Sequence, residues 1–165
     1  MERFVIAVLV ENRTGVLTRV SSMFTRRGFN INSLTVGETE SSEFSRITVS
    51  FDGDKQTKSQ IVKQLQKLHE VREVEVLERS ESVSRELLLI KVANKTETRQ
   101  DVMTAADIFR SKIIDYSSES LCCELTGETS KIEAFIELLK PLGIIEMCRT
   151  GVVALQRGSG HLKSE

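Results

Sequence analysis

One pattern of elements occurs twice along this 165-residue chain, and that repeat constrains the fold more than any other feature. Residues 4–10 are continuously apolar over the length of a strand, which predicts a central strand buried on both faces. Asn12-Arg13-Thr14-Gly15 is turn chemistry. Val16, Leu17, Val20 and Phe24 then recur at helical spacing, with Arg19, Ser22, Arg26 and Arg27 on the other face, and Gly28 stops the helix. A second strand is expected over 29–36. In a third strand Ile47, Val49 and Phe51 alternate with Arg46, Thr48 and Ser50, so one face is buried. Thr57 and Gln60 read as a capping box ahead of Ile61, Val62, Leu65 and Leu68, and residues 71–77 supply a fourth strand.

The polar, serine-rich stretch at 80–84 reads as a linker, after which the pattern restarts. Residues 87–92 predict a buried strand, and Val102, Ala105, Ala106 and Phe109 a helix stripe. Residues 112–116 and 121–125 predict two more strands. Gly127 takes the place of Gly53, and Ser130 with Glu133 reads as a second capping box before Ile132, Phe135, Ile136 and Leu139. Residues 144–155 close the repeat with a bend at Gly151. The expected division is a first domain at 1–79, a linker at 80–84, a second domain at 85–158 and a frayed tail at 159–165. Two βαββαβ halves make an α+β protein of two tandem ferredoxin-like units, each an antiparallel sheet with two helices on one face. Units of this size leave the other sheet face thinly covered, so a dimer or larger assembly is expected.

Composition removes several function classes. The 23 Lys and Arg nearly balance the 24 Asp and Glu, and a net charge of −1 lacks the footprint of a general nucleic-acid binder. No apolar run approaches the roughly 18 residues of a membrane helix, and the run at 4–10 is followed by no signal-peptide cleavage site. No nucleic acid and no membrane are therefore expected as partners. Cys122, Cys123 and Cys148 are odd in number and lack CxxC spacing, which argues for a reducing cytoplasm over a disulfide scaffold. The two histidines, His69 and His161, lie far apart, so no metal or acid–base constellation is visible.

Phosphate-loop, dinucleotide and nucleophile-elbow motifs are absent. Gly53-Asp54-Lys55 and Gly127-Glu128-Thr129-Ser130-Lys131 are weakly phosphate-like but read as turns before capped helices. One feature stands above this background. Glu11-Asn12-Arg13-Thr14-Gly15-Val16-Leu17 joins a buried strand to a helix N-terminus, where free amides and the helix dipole suit a carboxylate. Gly15 lets a ligand approach the backbone, and Asn12 offers a donor and an acceptor. Asn30 opens the next strand. A well-capped turn without a ligand accounts for the same spacing.

This turn, with Arg26-Arg27-Gly28-Phe29-Asn30-Ile31-Asn32-Ser33-Leu34-Thr35-Val36 and Ser45-Arg46-Ile47-Thr48, resembles the small regulatory subunit of acetolactate synthase (acetohydroxyacid synthase). Later segments agree: Ile108-Phe109-Arg110-Ser111-Lys112-Ile113-Ile114-Asp115, Glu124-Leu125-Thr126-Gly127 and Arg149-Thr150-Gly151-Val152-Val153-Ala154-Leu155. The resemblance spans about residues 4–157. It implies that the first unit is an ACT domain and that the chain is not catalytic by itself. It also implies a large subunit that carries thiamine diphosphate, magnesium and FAD, with no cofactor in this chain. The small subunit would activate that partner and confer feedback inhibition, usually by valine, on the condensation of two pyruvates to acetolactate in branched-chain amino-acid synthesis. In this family ACT domains pair as a homodimer and hold the effector at their interface. The matching positions are Asn12, Gly15, Val16 and Leu17, with Asn30 and Ile31 as the facing wall, and there are no catalytic or metal positions. Arg13 and Thr14 depart from the acidic or proline residue that often follows the turn Asn.

Three other classes use similar units. An RNA-binding module needs exposed strand aromatics and a basic face, and the third strand lacks them. A metal chaperone needs cysteines in the first turn. A generic amino-acid-sensing ACT regulator of another enzyme shares the turn motif and differs in its partner.

Overall fold

In the computed structural model, which describes residues 1–163, the apolar run at 4–10 lies inside β1 (Glu2–Glu11), a strand hydrogen-bonded along both edges. Ile6, Ala7 and Val8 are fully buried. β3 (Phe44–Gly53) pairs antiparallel with one edge of β1 and β4 (Val71–Val76) with the other. β2 (Ser33–Glu38) lies outside β3, so the order is β2-β3-β1-β4 with β2 at a free end. The helices α1 (Val16–Arg26) and α2 (Lys55–Gln66) turn Val16, Val20, Phe24, Ile61 and Leu65 onto Ile6, Val8, Ile47, Val49 and Phe51. This is the first βαββαβ sheet.

The second repeat runs β5 (Ser82–Ala93), α3 (Arg99–Phe109), β6 (Lys112–Tyr116), β7 (Ser120–Gly127), α4 (Thr129–Leu139) and, after a single 3-10 turn at Lys140–Leu142, β8 (Ile144–Arg149). Its order is β6-β7-β5-β8, and Leu88, Ile90, Val102, Leu125, Ile132 and Phe135 lie in its own core. Cys123 points into that core, where burial pushes its thiol up, while Cys122 is half-buried and Cys148 exposed; all three are free.

The division between the two units differs from the expected one in the last segment. One unit is residues 1–83 together with the chain from Val152 onward, and the other is 84–151. Thr150 still bonds to Leu87, but Gly151 turns with φ 84°, and Val152 and Ala154 bury against Ala7 and Leu77. The strand expected over 144–155 is thus two, β8 and β9 (Val153–Gln156), and β9 pairs with β5, whose first residues Ser82 and Val83 belong to the same unit. The reason is the bare face of the first sheet. Val5 and Ala7 project opposite to the helices, and the returning segment covers them. Arg46 Nη2 donates to Ala154 O at 2.6 Å, and Leu162 packs beside this cluster. The tail expected to fray from 159 is therefore held as far as Lys163, whose amide bonds to Glu73 Oε2. The rest of that expectation lies outside the described residues. Under this cover Thr48 and Ser50 are buried too, so β3 is buried on both faces and not on one. Desolvation pushes the Glu75 carboxyl up and the Arg46 guanidinium down, and it outweighs their mutual attraction.

Smaller differences are local. β2 begins at Ser33 and not at 29, because Gly28 takes φ 69° and Phe29 closes back on Phe24 O. The 80–84 linker is a tight turn that enters β5, with Ser82 Oγ donating to Glu78 O at 2.8 Å. α2 starts at Lys55 with Asp54 as its cap, its Oδ1 accepting from the Thr57 amide at 2.7 Å, so Thr57 is the capped residue and not the cap. α4 starts at Thr129 after Glu128, without a side-chain cap bond, so Ser130 is already helical.

Candidate functional site

β1 ends at Glu11, and the next residue anchors the chain to the β2–β3 hairpin. The Asn12 amide donates to Glu43 O at 2.8 Å. Its side-chain Nδ2 donates to Ser42 O at 2.9 Å and to Glu38 Oε1 at 3.0 Å. Both side-chain hydrogens are thereby used, which leaves Oδ1 as the atom open to a ligand. Asn12 is a hairpin anchor with one acceptor to spare, and not the free donor that the sequence reading gave it.

Gly15 holds φ 90° and ψ −12°, a left-handed conformation that an L side chain resists, although a Cβ there would touch nothing within 4 Å. The glycine is therefore required by the backbone before any ligand is considered. It opens α1 without a side-chain cap bond. The Val16 amide reaches Arg13 O at 3.5 Å and Arg19 bonds Gly15 O. Among the described residues the Leu17 and Thr18 amides have no acceptor, as the first turn of a helix requires. Val16 offers only its backbone, because its side chain is in the core, and Leu17 is partly exposed.

A charge chain that sequence reasoning missed surrounds this helix start. Arg72 Nη2 lies 2.7 Å from Glu11 Oε1, and Arg13 Nε lies 2.7 Å from Glu11 Oε2. Arg13 Nη2 lies 3.6 Å from Glu70 Oε1, and Arg19 Nη1 lies 2.7 Å from the same oxygen. The Glu70 side chain is only 9% exposed and its Oε2 has no hydrogen-bond partner. Three guanidinium groups engage Glu11 and Glu70 beside uncapped amides, with the Glu38 carboxylate held to one side on Asn12, and arginines at a helix start are an arrangement that attracts a carboxylate. Gly15, Thr18, Arg19, Ser22, Thr25 and Arg26 line an open groove along the adjoining face of α1. No local signal could reveal Glu70, which only the fold brings to the turn.

The other expected wall is elsewhere in the chain. Asn12 stands beside Glu38, the last residue of β2, whereas Asn30 lies three residues ahead of Ser33, the first. At about 3.3 Å per residue those two ends of β2 are about 17 Å apart. Within one chain the structure brings Asn12, Gly15, Val16 and Leu17 together and places exposed Asn30 and half-buried Ile31 toward the opposite end of the sheet. Ile31 packs on the first core.

Among the described residues no group of three His, Cys, Asp or Glu side chains could hold a metal ion. His69 is exposed after α2, and exposed His161 meets Ser159 O through Nδ1 and interacts electrostatically with Glu75.

Comparison with known proteins adds the family. A family model described as the small subunit of acetolactate synthase matches residues 85–158, and an AHAS small subunit-like ACT domain matches 6–73. The acetolactate synthase small subunit of Mycolicibacterium smegmatis is 48% identical over 153 residues, covering 93% of this chain and 90% of that protein. That of Bacillus subtilis is 44% identical over 157 residues, covering 94% and 91%. A crystal structure of the small subunit from Thermotoga maritima superimposes with a TM-score of 0.88 at 42% identity, covering 97% of this chain and all of that one. Both halves, their order and the fold thus agree, and the chain belongs to the acetolactate synthase small-subunit family, with an ACT domain as its first unit.

Proposed function

We propose that the chain is the non-catalytic regulatory subunit of a cytoplasmic acetolactate synthase. It binds the large subunit, raises the condensation of two pyruvates to acetolactate, and makes that reaction sensitive to valine. Thiamine diphosphate, magnesium and FAD belong to the large subunit, and this chain carries no cofactor. The observation that carries the reading is the start of α1, which has no side-chain cap and lies beside Arg13 and Arg19, a receptor for the carboxylate of an amino acid.

The separation of the two expected walls supports an effector site shared by two chains. β2 is an edge strand whose outer edge pairs with no strand among the described residues. Antiparallel pairing of two such edges about a two-fold axis sets the start of one β2 against the end of the other. Asn30 of the partner subunit would then face the Asn12–Gly15 turn. A ligand held there favours the paired arrangement by its differential affinity for it.

Reconstitution with the large subunit tests this. The isolated chain should turn over no pyruvate. Added to the large subunit it should raise the rate, and valine should lower it. Asn30→Ala removes a polar wall without backbone strain and should raise the valine needed by about tenfold, the equivalent of one hydrogen bond, while sparing activation. Gly15→Asp is a poorer probe, because φ 90° adds strain to any effect of charge. A folded, activating Asn30→Ala variant with undiminished valine sensitivity would place the effector elsewhere.

A further inference from the structure

The helical layers of the two units carry their charge differently. Residues 16–27 and 55–67, the helices of the first unit with their C-caps, contain seven Lys and Arg and no Asp or Glu. The matching residues 99–110 and 129–140 of the second unit contain four of each sign. Since the whole chain has a net charge of −1, the basic surface on α1 and α2 is a segregation of charge and not an overall excess.

Two of the seven are used inside the chain. Arg19 is held by Glu70 at 2.7 Å, while Lys58 lies 3.3 Å from Glu78 and 4.7 Å over the Phe4 ring. The other five, Arg26, Arg27, Lys55, Lys63 and Lys67, are exposed and have no carboxylate partner among the described residues. Lys63 and Lys67 stand one helical turn apart, a like-charge spacing that weakens a helix. Surfaces without a task mix their signs, and this one does not.

We infer that the outer face of α1 and α2 is the docking surface for the catalytic large subunit, through an acidic patch on that subunit. The inference rests on the regulatory reading above. Charge complementarity of this kind steers encounter and fixes register. The chemistry of the face disfavours other polyanions. No exposed residue of either helix is aromatic, so nucleic-acid bases have nothing to stack on. Leu17 is the sole exposed large apolar side chain on the two helices, too little to anchor them in a lipid surface.

The test is the affinity of the full-length chain for the large subunit, measured by calorimetry at low and at high salt. Wild type should weaken as salt rises. The Arg27→Glu/Lys63→Glu/Lys67→Glu variant should bind at least about tenfold more weakly at low salt and lose that salt dependence. Its valine binding should persist, since none of the three residues lies at the α1 start. A matched variant of the second unit, Lys95→Glu/Lys112→Glu/Lys140→Glu, should bind as wild type does. Wild-type affinity in the folded first variant would overturn the inference, as would equal weakening in the second. Tighter retention of wild type by anionic vesicles or by poly-uridine than by the large subunit would overturn it in favour of that partner class. Failure of wild type itself to associate would instead remove the regulatory reading, and this surface with it.

Discussion

Asn12 and Asn94 follow the central strands of the two units and make the same anchor. Each amide donates to a carbonyl of the facing hairpin, Glu43 at 2.8 Å and Glu119 at 2.9 Å. Each Nδ2 donates to another, Ser42 at 2.9 Å and Ser117 at 2.6 Å. They differ in what is left over. Asn94 is buried, and its Oδ1 accepts from Arg99 Nε at 2.6 Å, so a side chain of α3 closes the turn from within. Asn12 is exposed, its Oδ1 is open, and Gly15 in place of a closing side chain leaves the α1 amides accessible. The repeated asparagine therefore marks structure. α3 too starts without a side-chain cap bond, so the candidate for binding is the part that does not repeat: the glycine and the arginines around it.

If the second unit's turn is the one closed by internal polar pairs, breaking them should cost more stability there than changes at the matching positions of the first. The largest effect is expected at Glu86, whose side chain is 3% exposed and is held by Arg149 at 3.1 Å. Its counterpart Glu2, likewise opposite a strand-ending glycine, is exposed. Arg149→Met should destabilise the protein by about 3–5 kcal/mol in denaturant unfolding, by stranding a buried carboxylate, while Glu2→Gln should change little. A loss below about 1 kcal/mol for Arg149→Met would show that Glu86 is relieved by protonation or hydration.

The turns themselves give the next step. Asn94→Ala removes a buried amide and leaves the Ser117 carbonyl and the half-buried Arg99 guanidinium without it, and should cost about 2–3 kcal/mol, against about 1 kcal/mol for the solvated Asn12→Ala. Equal costs would mean that the two anchors are energetically alike and that burial does not distinguish the turns.

Acid separates the helix starts and should give the smallest effect. The Thr57 amide holds the Asp54 carboxyl below the usual carboxylate range, whereas α4 has no side-chain cap bond. A folded pKa below the unfolded one gives stability that is complete above the unfolded value, near 3.9. It is lost as pH falls through the folded one. Hydrogen exchange in α2 should accordingly show a loss below about pH 4 that Asp54→Asn removes, since asparagine caps without titrating. An unchanged acid response in that variant would assign the loss to another carboxyl.

The comparison also warns against cutting the chain at 80. A fragment of the first unit alone would lack Val152, Ala154 and Leu162, and would bare Ala7 and Leu77. Sequence periodicity cannot reveal that strap. Val152 and Ala154 continue an apolar stretch that reads as the end of the second repeat, and only the empty face of the first sheet explains where they go.

What the sequence determined by itself is what short-range physics decides. Apolar runs and 3.6-residue stripes located every helix and the central strands, because burial of one face sets those periods. The repeat implied two antiparallel sheets, each with two helices on one face, and the turn at 12–15 announced itself through residue types with backbone consequences. The tertiary structure decided what depends on long-range juxtaposition. It spent both hydrogens of Asn12 on the hairpin, and it gave Gly15 a positive φ that fixes its identity through the backbone. It brought Glu70 and Arg72 to a turn nearly sixty residues earlier, and it set Asn30 at the far end of β2 from Asn12. Pairing across a sheet and burial of its second face depend on which segments meet in space, and no local pattern of side chains records that.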